Sequence, residues 1–241
     1  CERLEIAGLL HDLGKLRVPD EVLDKPGQLD ERERKMINAH SFETYQILHR
    51  IRGFEEIETK LNGSFDVVSS NIPFGDVAVF DPVFSKTAEP ARKVARMSLH
   101  NYFFVKAMEL LNEGGLLAFV TSRGVADTPS NKFVRDYLVS HADLISAIRL
   151  PDMLFMQTSG IEVGSDLLVF QKHTHKASLS QREQLFLQVG REKADTTGTM
   201  TEYANKLFTL SKTTLATGSR IAMNQYGKYV RKYQWQQGDE N

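Results

Sequence analysis

The sequence predicts an α/β fold, a parallel sheet with crossover helices, preceded by an all-helical segment. Two observations carry this. Short apolar runs of strand length ("FDVVSSN", "LLAFVTS", "LISAIRLP", "DLLVFQK") alternate with amphipathic stretches ("HNYFFVKAMELLNEGG", "NKFVRDYLVSH"), the signature of strands joined by helices. Before residue 57, by contrast, apolar residues recur only at helical spacing.

Taken in order, "CERLEIAGLLHDLGKL" and "DERERKMINAHSFETYQILHRI" read as helices separated by the turn-rich "DKPGQ". Asp30 suits the N-cap of the second, with Glu33 three residues later as its capping-box partner. "SFDVVSSN" then opens the strand-containing part. The helix "HNYFFVKAMELLNEGG" is closed by glycine, "LLAFVTS" and "LISAIRLP" flank the helix "NKFVRDYLVSH", and "DLLVFQK" is a further strand after the loop containing "QTSGIEVG". From residue 173 the chain turns polar and Thr- and Lys-rich, where helix fragments and loops are expected. No internal repeat is present.

Composition narrows the function classes. A chain of 241 residues, 41% hydrophobic, buries a sizeable core as one large domain or two small ones. The single cysteine, Cys1, excludes an intrachain disulfide and fits a reducing compartment. No apolar stretch approaches the ~18 residues that span a bilayer, so a cytoplasmic protein without membrane contact is expected. The sequence opens on Cys1 rather than Met, and is expected to begin inside a longer protein. Net charge is −1, with 9 Lys+Arg against 12 Asp+Glu in residues 1–57 and 21 against 19 beyond. Neither part is a basic magnet for nucleic acid, so any DNA contact depends on a local patch.

Two short motifs carry chemistry. "HDLGK" sets an imidazole and a carboxylate side by side, His11 and Asp12, both ready ligands for a divalent metal, although such a pair is more often structural. Its surroundings, "AGLLHDLGKLRVPDEVLDKPGQLDERERKMINAHSFETYQIL", closely resemble the HD-GYP family, a branch of the HD metal-dependent phosphohydrolases that cleaves cyclic dinucleotides. The resemblance covers residues 1–50 and implies that His11, Asp12 and His40 are metal ligands and Lys15 a phosphate contact. The His-His-Glu segment and Gly-Tyr-Pro signature of that family do not follow His40. A metal held by part of its shell is bound weakly and makes a poor hydrolytic centre.

The second motif is "SSNIPFGD" at the end of "FDVV". Asn, Pro and Gly punctuate strands everywhere, so a plain strand-to-loop turn is one reading, and a pocket for a nucleic-acid base is the other. "FDVVSSNIPFGD" with "HNYFFVKAMELLNEGGLLAFVTS", "AIRLP" and "EVGSDLLVFQK" resembles the catalytic half of an adenine-specific DNA methyltransferase, of the helicase-fused, mobile-element type, over residues 53–172. That family's signature is Asn-Pro-Pro-Phe/Tyr, and Ile72 stands where the first proline is usual. The resemblance implies that Asn71 and the Ile72 carbonyl hold the exocyclic amine, that Pro73 stiffens the turn, and that Phe74 stacks on a flipped adenine. It also implies S-adenosylmethionine as cofactor and DNA as partner. The glycine-rich loop and acidic residue that hold this donor would precede residue 53, where no strand followed by a glycine-rich turn occurs.

The expected organisation is therefore an HD-GYP-like helical fragment (1–52), an adenine methyltransferase-like domain with a partial Rossmann-like sheet lacking its donor-binding half (53–172), and a C-terminal extension (173–241), the first two joined within "HRIRGFEEIE". The leading functional expectation is a DNA adenine methyltransferase-like fragment, inactive alone and completed by a missing N-terminal half or helicase region. An HD phosphohydrolase remnant and a non-catalytic DNA-binding or assembly module are the alternatives. His100 and Asn101 are expected to cap a helix rather than to catalyse. Residues 158–166 suit either a DNA-facing or a strand-connecting loop, and the basic and aromatic tail 224–235 either nucleic-acid contact or an amphipathic surface.

Overall fold

The computed structural model describes residues 13–38, 62–72, 78–79, 81, 84, 86, 88–152, 154–155, 162–193, 201–211, 218–223 and 229–234. The chain divides into two compact units, Cys1–Leu61 and Asn62–Asn241. His11, Asp12, His40, Pro73 and Phe74 lie outside the described residues.

In the first unit a 3-10 turn, Leu13–Arg17, carries half-buried Lys15, and helices α1 (Asp20–Leu23) and α2 (Glu31–Asn38) follow. The predicted capping box forms: the Glu33 amide donates to Asp30 Oδ1 and the Asp30 amide to Glu33 Oε2, both at 2.8 Å. The backbone bond holds the Asp30 carboxyl below its usual range, and Lys25, 2.5 Å away, does the same for Glu33. The box thus caps α2 at neutral pH and is lost in acid.

The second unit is built on β1 (Phe65–Asn71), β2 (Leu111–Ser122), β3 (Ala142–Arg149) and β4 (Ser165–Lys172). Helices α3 (Pro90–Ala95) and α4 (Leu99–Leu110) join the first two strands, and α5 (Gly124–Asp127) and α6 (Lys132–His141) the next two. The strand order is β1-β2-β4-β3. β1 and β2 are parallel, and β4 is antiparallel to both β2 and β3, so β1, β2 and β3 run one way and β4 runs against them. The α/β expectation holds, but the all-parallel sheet is corrected to a mixed one. β1 consequently neighbours β2 and not β3.

The register sorts side chains onto two faces. The rows Val68–Leu117–Phe170–Leu144 and Phe119–Leu168–Ala147 lie under the helices, with Ser70 exposed at the edge of the second, and Phe104 of α4 meets Phe119 edge-on at 5.1 Å and Phe170 at 6.3 Å. The rows on the other face, among them Asn71–Val120–Leu167–Ile148, are exposed or half-buried, and Val67 at the outer edge is 59% exposed. At the helix-to-strand junction α4 stops at Leu110, before the glycines expected to close it. Gly114 turns the chain with φ +78°, and a Cβ on Gly115 would stand 3.1 Å from the Phe65 carbonyl.

Beyond residue 173 the expectation of helix fragments and loops is corrected by two hairpins. β5 (Val189–Lys193) pairs with β6 (Thr201–Asn205), and β7 (Gly218–Met223) with β8 (Tyr229–Gln234), alongside α7 (Gln181–Leu187) and α8 (Lys206–Ser211). Among the described residues no helix is long and apolar enough to cross a membrane.

Candidate active site

The ends of β1, β2 and β3 and the start of β4 meet at one edge of the sheet, the carboxyl edge of its parallel strands, where α/β sheets bind ligands. Asn71 is the last residue of β1 rather than the first beyond it, and its side chain is exposed. Ile72 is 2% exposed and belongs to the hydrophobic core, while its amide donates to the Val120 carbonyl at 3.1 Å. A proline at this position has no N–H to donate, so isoleucine extends the grip of β1 on β2 by one bond beyond Asn71. The buried side chain and that bond together hold the backbone behind the exposed amide.

The end of β2 is supported from below. Arg135 of α6, 1% exposed, donates to the Val125 and Thr128 carbonyls, and burial brings its pKa down to about 10, leaving it charged at neutral pH. Asn131 donates to the Gly124 carbonyl and accepts from Asn101, both at 2.8 Å. His100 and Asn101 therefore do not cap α4, which corrects that expectation: Ser98 is the N-cap residue, His100 contacts its hydroxyl, and Asn101 ties the helix to the turn after β2.

Arg123 leaves β2 across the edge. Its Nη1 donates to the Arg231 carbonyl of β8 at 2.9 Å, and its Nη2 lies 3.9 Å from Asp152, whose carboxyl burial pushes up. The guanidinium passes so close to Gly164 that a Cβ there would stand 2.0 Å from Nε. Gly164→Ala is expected to displace Arg123 and cost about 1–3 kcal/mol of stability. Denaturant titration of a double-mutant cycle checks this, since the alanine is expected to cost far less in an Arg123→Ala background.

The strongest polar constellation joins "AIRLP" to "GSD". Arg149, 1% exposed, donates from Nε to Asp166 Oδ1 at 2.9 Å, from Nη2 to Asp166 Oδ2 at 3.1 Å, and from Nη2 to Asp127 Oδ1 at 3.0 Å. The Phe208 ring lies 4.2 Å from its guanidinium carbon. Burial opposes the Arg149 charge, but the two carboxylates outweigh it and hold its pKa above the ordinary arginine value. Burial drives the Asp166 carboxyl upward while Arg149 pulls it down, and the bidentate geometry identifies an ionised pair. Asp127 also accepts from the Asn205 amide at 2.9 Å. Sequence reasoning missed this network, although an arginine inside an otherwise apolar strand was its signal.

Loop and tail are placed in part. Within 158–166, Val163 donates to the Asp152 carbonyl and Glu162 pairs with Lys232 at 2.6 Å; of 224–235, residues 229–234 form β8, and Tyr233 accepts from the Asp152 amide. Among the described residues no group of three or more His, Cys, Asp or Glu is placed to hold a metal ion.

Comparison with known proteins gives two family matches, which overlap over residues 35–63. Residues 1–63 match the HD domain family. A 54-residue stretch is 48% identical to the 3'3'-cGAMP-specific phosphodiesterase 3 of Vibrio cholerae serotype O1, covering 22% of this chain and 12% of that protein. The chain thus spans about an eighth of its curated relative. Among solved structures, the M protein of the type I restriction enzyme EcoKI is 24% identical, with 46% of this chain and 21% of that one covered and a TM-score of 0.35. The ATP-dependent type ISP restriction-modification enzyme LlaBIII, bound to DNA, is 10% identical, with 87% and 15% covered and a TM-score of 0.39. These scores are low, and the assignment rests on the family match. Residues 35–237, most of the chain, match the family described as N-6 DNA Methylase, and the chain belongs to that family.

Proposed function

We propose that Asn71 and Ile72, with Pro73 and Phe74, form the target-base half of an adenine methyltransferase site that a separate donor-binding half completes. The observation that carries this is the exposed Asn71 amide at the carboxyl end of β1, in a chain of the N-6 DNA methylase family. An exocyclic amine has its lone pair delocalised into the ring, so it must be held by acceptors that favour a more tetrahedral nitrogen. Asn71 Oδ1 and the Ile72 carbonyl accept the two amino protons. Phe74 stacks on the flipped base, a contact typically worth ~1–3 kcal/mol, and Pro73 limits the turn.

S-adenosylmethionine, when bound, supplies the methyl group. The described residues do not fit it: no described strand precedes β1, and no glycine-rich turn precedes β1 among them. We assign donor binding to a partner polypeptide or another region, an N-terminal methyltransferase half or a helicase region. Calorimetric titration is expected to show no appreciable S-adenosylmethionine binding by this chain alone, and micromolar binding would overturn the division of labour. Addition of the donor half in trans is expected to give adenine methylation of DNA.

The HD match favours a second reading for the first unit, a divalent-metal site at His11, Asp12 and His40 with Lys15 meeting phosphate. With three ligands of an incomplete shell, Mn²⁺ or Fe²⁺ is expected to be lost on dialysis. Stoichiometric metal retained through dialysis would instead place hydrolysis of a cyclic dinucleotide first.

A further inference from the structure

We propose that three described cations between β1 and α4, Lys86, Lys93 and Arg96, are the duplex-DNA backbone contact of this chain, each meeting a phosphate. This rests on the methyltransferase reading and deepens it. A chain of net charge −1 has no general attraction for DNA, so a contact must come from cations that are locally in excess and not already engaged.

Most cations of the Asn62–Asn241 unit are engaged. Arg149 is held by Asp166, Lys206 by Glu192, Lys232 by Glu162, Lys132 by Asp136 and Arg92 by Glu109. Lys86, Lys93 and Arg96 differ: among the described residues they have neither an ion pair nor a hydrogen-bonded acceptor for the side chain, and all three fall between residues 86 and 96. Lys86 and Lys93 are exposed and Arg96 is half-buried. The nearby acids do not neutralise them. Glu89 lies 3.5 Å from Arg92, and Asp81 is fully buried, accepting from the Phe84 amide and the Tyr102 hydroxyl.

Placement connects the end of this segment, at Arg96, to the candidate site. The last turn of α4 lies at the start of β1, where Gly63 and Ser64 donate to the Glu109 and Leu110 carbonyls. The first turn of α4 is therefore at the opposite, carboxyl end of the sheet, and Arg96 precedes its N-cap Ser98 by two residues. Lys93 and Arg96 are three apart, a spacing that makes helical side chains neighbours. The three cations are close in sequence, in the segment that follows the base-pocket motif.

Each phosphate neutralised on duplex DNA contributes about 0.9 to the slope of log K against log salt, so three contacts contribute roughly 2.7. The test is fluorescence anisotropy of the full chain on a short labelled duplex across a salt series. The variant Lys86→Ser/Lys93→Ser/Arg96→Ser is expected to bind at least about tenfold more weakly at low salt, with a slope shallower by roughly 2–3. A control with Lys132→Ser/Lys206→Ser, two paired lysines, is expected to keep the wild-type slope, and circular dichroism of both variants to match wild type. An unchanged slope in the triple variant, or an equal change in the control, overturns the patch while leaving the base-pocket reading in place. Absence of duplex binding by the wild-type chain overturns the patch, and failed adenine methylation with the donor half separately overturns the base pocket.

Discussion

Arg149→Met is expected to destabilise the second unit by about 3–5 kcal/mol, because it strands two carboxylates that share one guanidinium. Asp166 is fully buried and Arg149 nearly so, and water cannot replace the lost partner. Arg149→Lys is expected to recover little, since an ammonium cannot reproduce two parallel bonds to Asp166 and a third to Asp127. The loss depends on pH with a definite sign. Without Arg149, burial holds the Asp166 pKa above its unfolded value of about 3.9, so the deficit is smallest below that pH and widens as pH rises through the folded value. Denaturant titration at several pH values checks this. Arg149→Met with Asp166→Leu and Asp127→Asn is expected to regain much of the stability, because an apolar replacement removes the buried charges together.

Asn71→Ala is expected to have the opposite profile, with the fold intact and activity lost. The side chain is exposed at the end of β1, so its removal is expected to change stability by no more than about 0.5 kcal/mol. In the methylation assay with the donor half, loss of one of two acceptors for the adenine amine is expected to lower kcat on the order of 10²–10³-fold, the scale found when one group aimed at developing charge is deleted. An unaffected rate would sink the role of Asn71. A fall in rate that tracks a lowered melting temperature would identify a structural residue instead.

Much of the central sheet was legible in the sequence, because apolar runs and helical periodicity mark β1, α4, α6, β3 and β4 without reference to anything distant. Periodicity carries no strand direction, so it could not place β4 antiparallel between β2 and β3; the connection from 150 to 164 is long enough for either sense. β5 and β6, "VGREK" and "TEYAN", are too polar to announce themselves as strands, and their pairing arises from the hairpin ladder. At the candidate site, the Asn71 motif was legible as a local word. The Arg149–Asp166–Asp127 network was not, since its members are joined only by the fold.

The position of β4 also governs the order in which the sheet is able to assemble. It is the last of the four strands to leave the ribosome, yet it occupies an interior place, bonded to β2 on one side and β3 on the other. Until residue 172 is available, β2 and β3 have no hydrogen-bonded connection, and β3 has no strand neighbour in this sheet. Insertion of β4 joins both halves of the ladder at once and, in the same step, brings Asp166 to Arg149. The carboxyl edge thus matures late and cooperatively, dependent on contacts distant in sequence, whereas the β1–β2 pair that bears Asn71 has its strand partner before β4 exists.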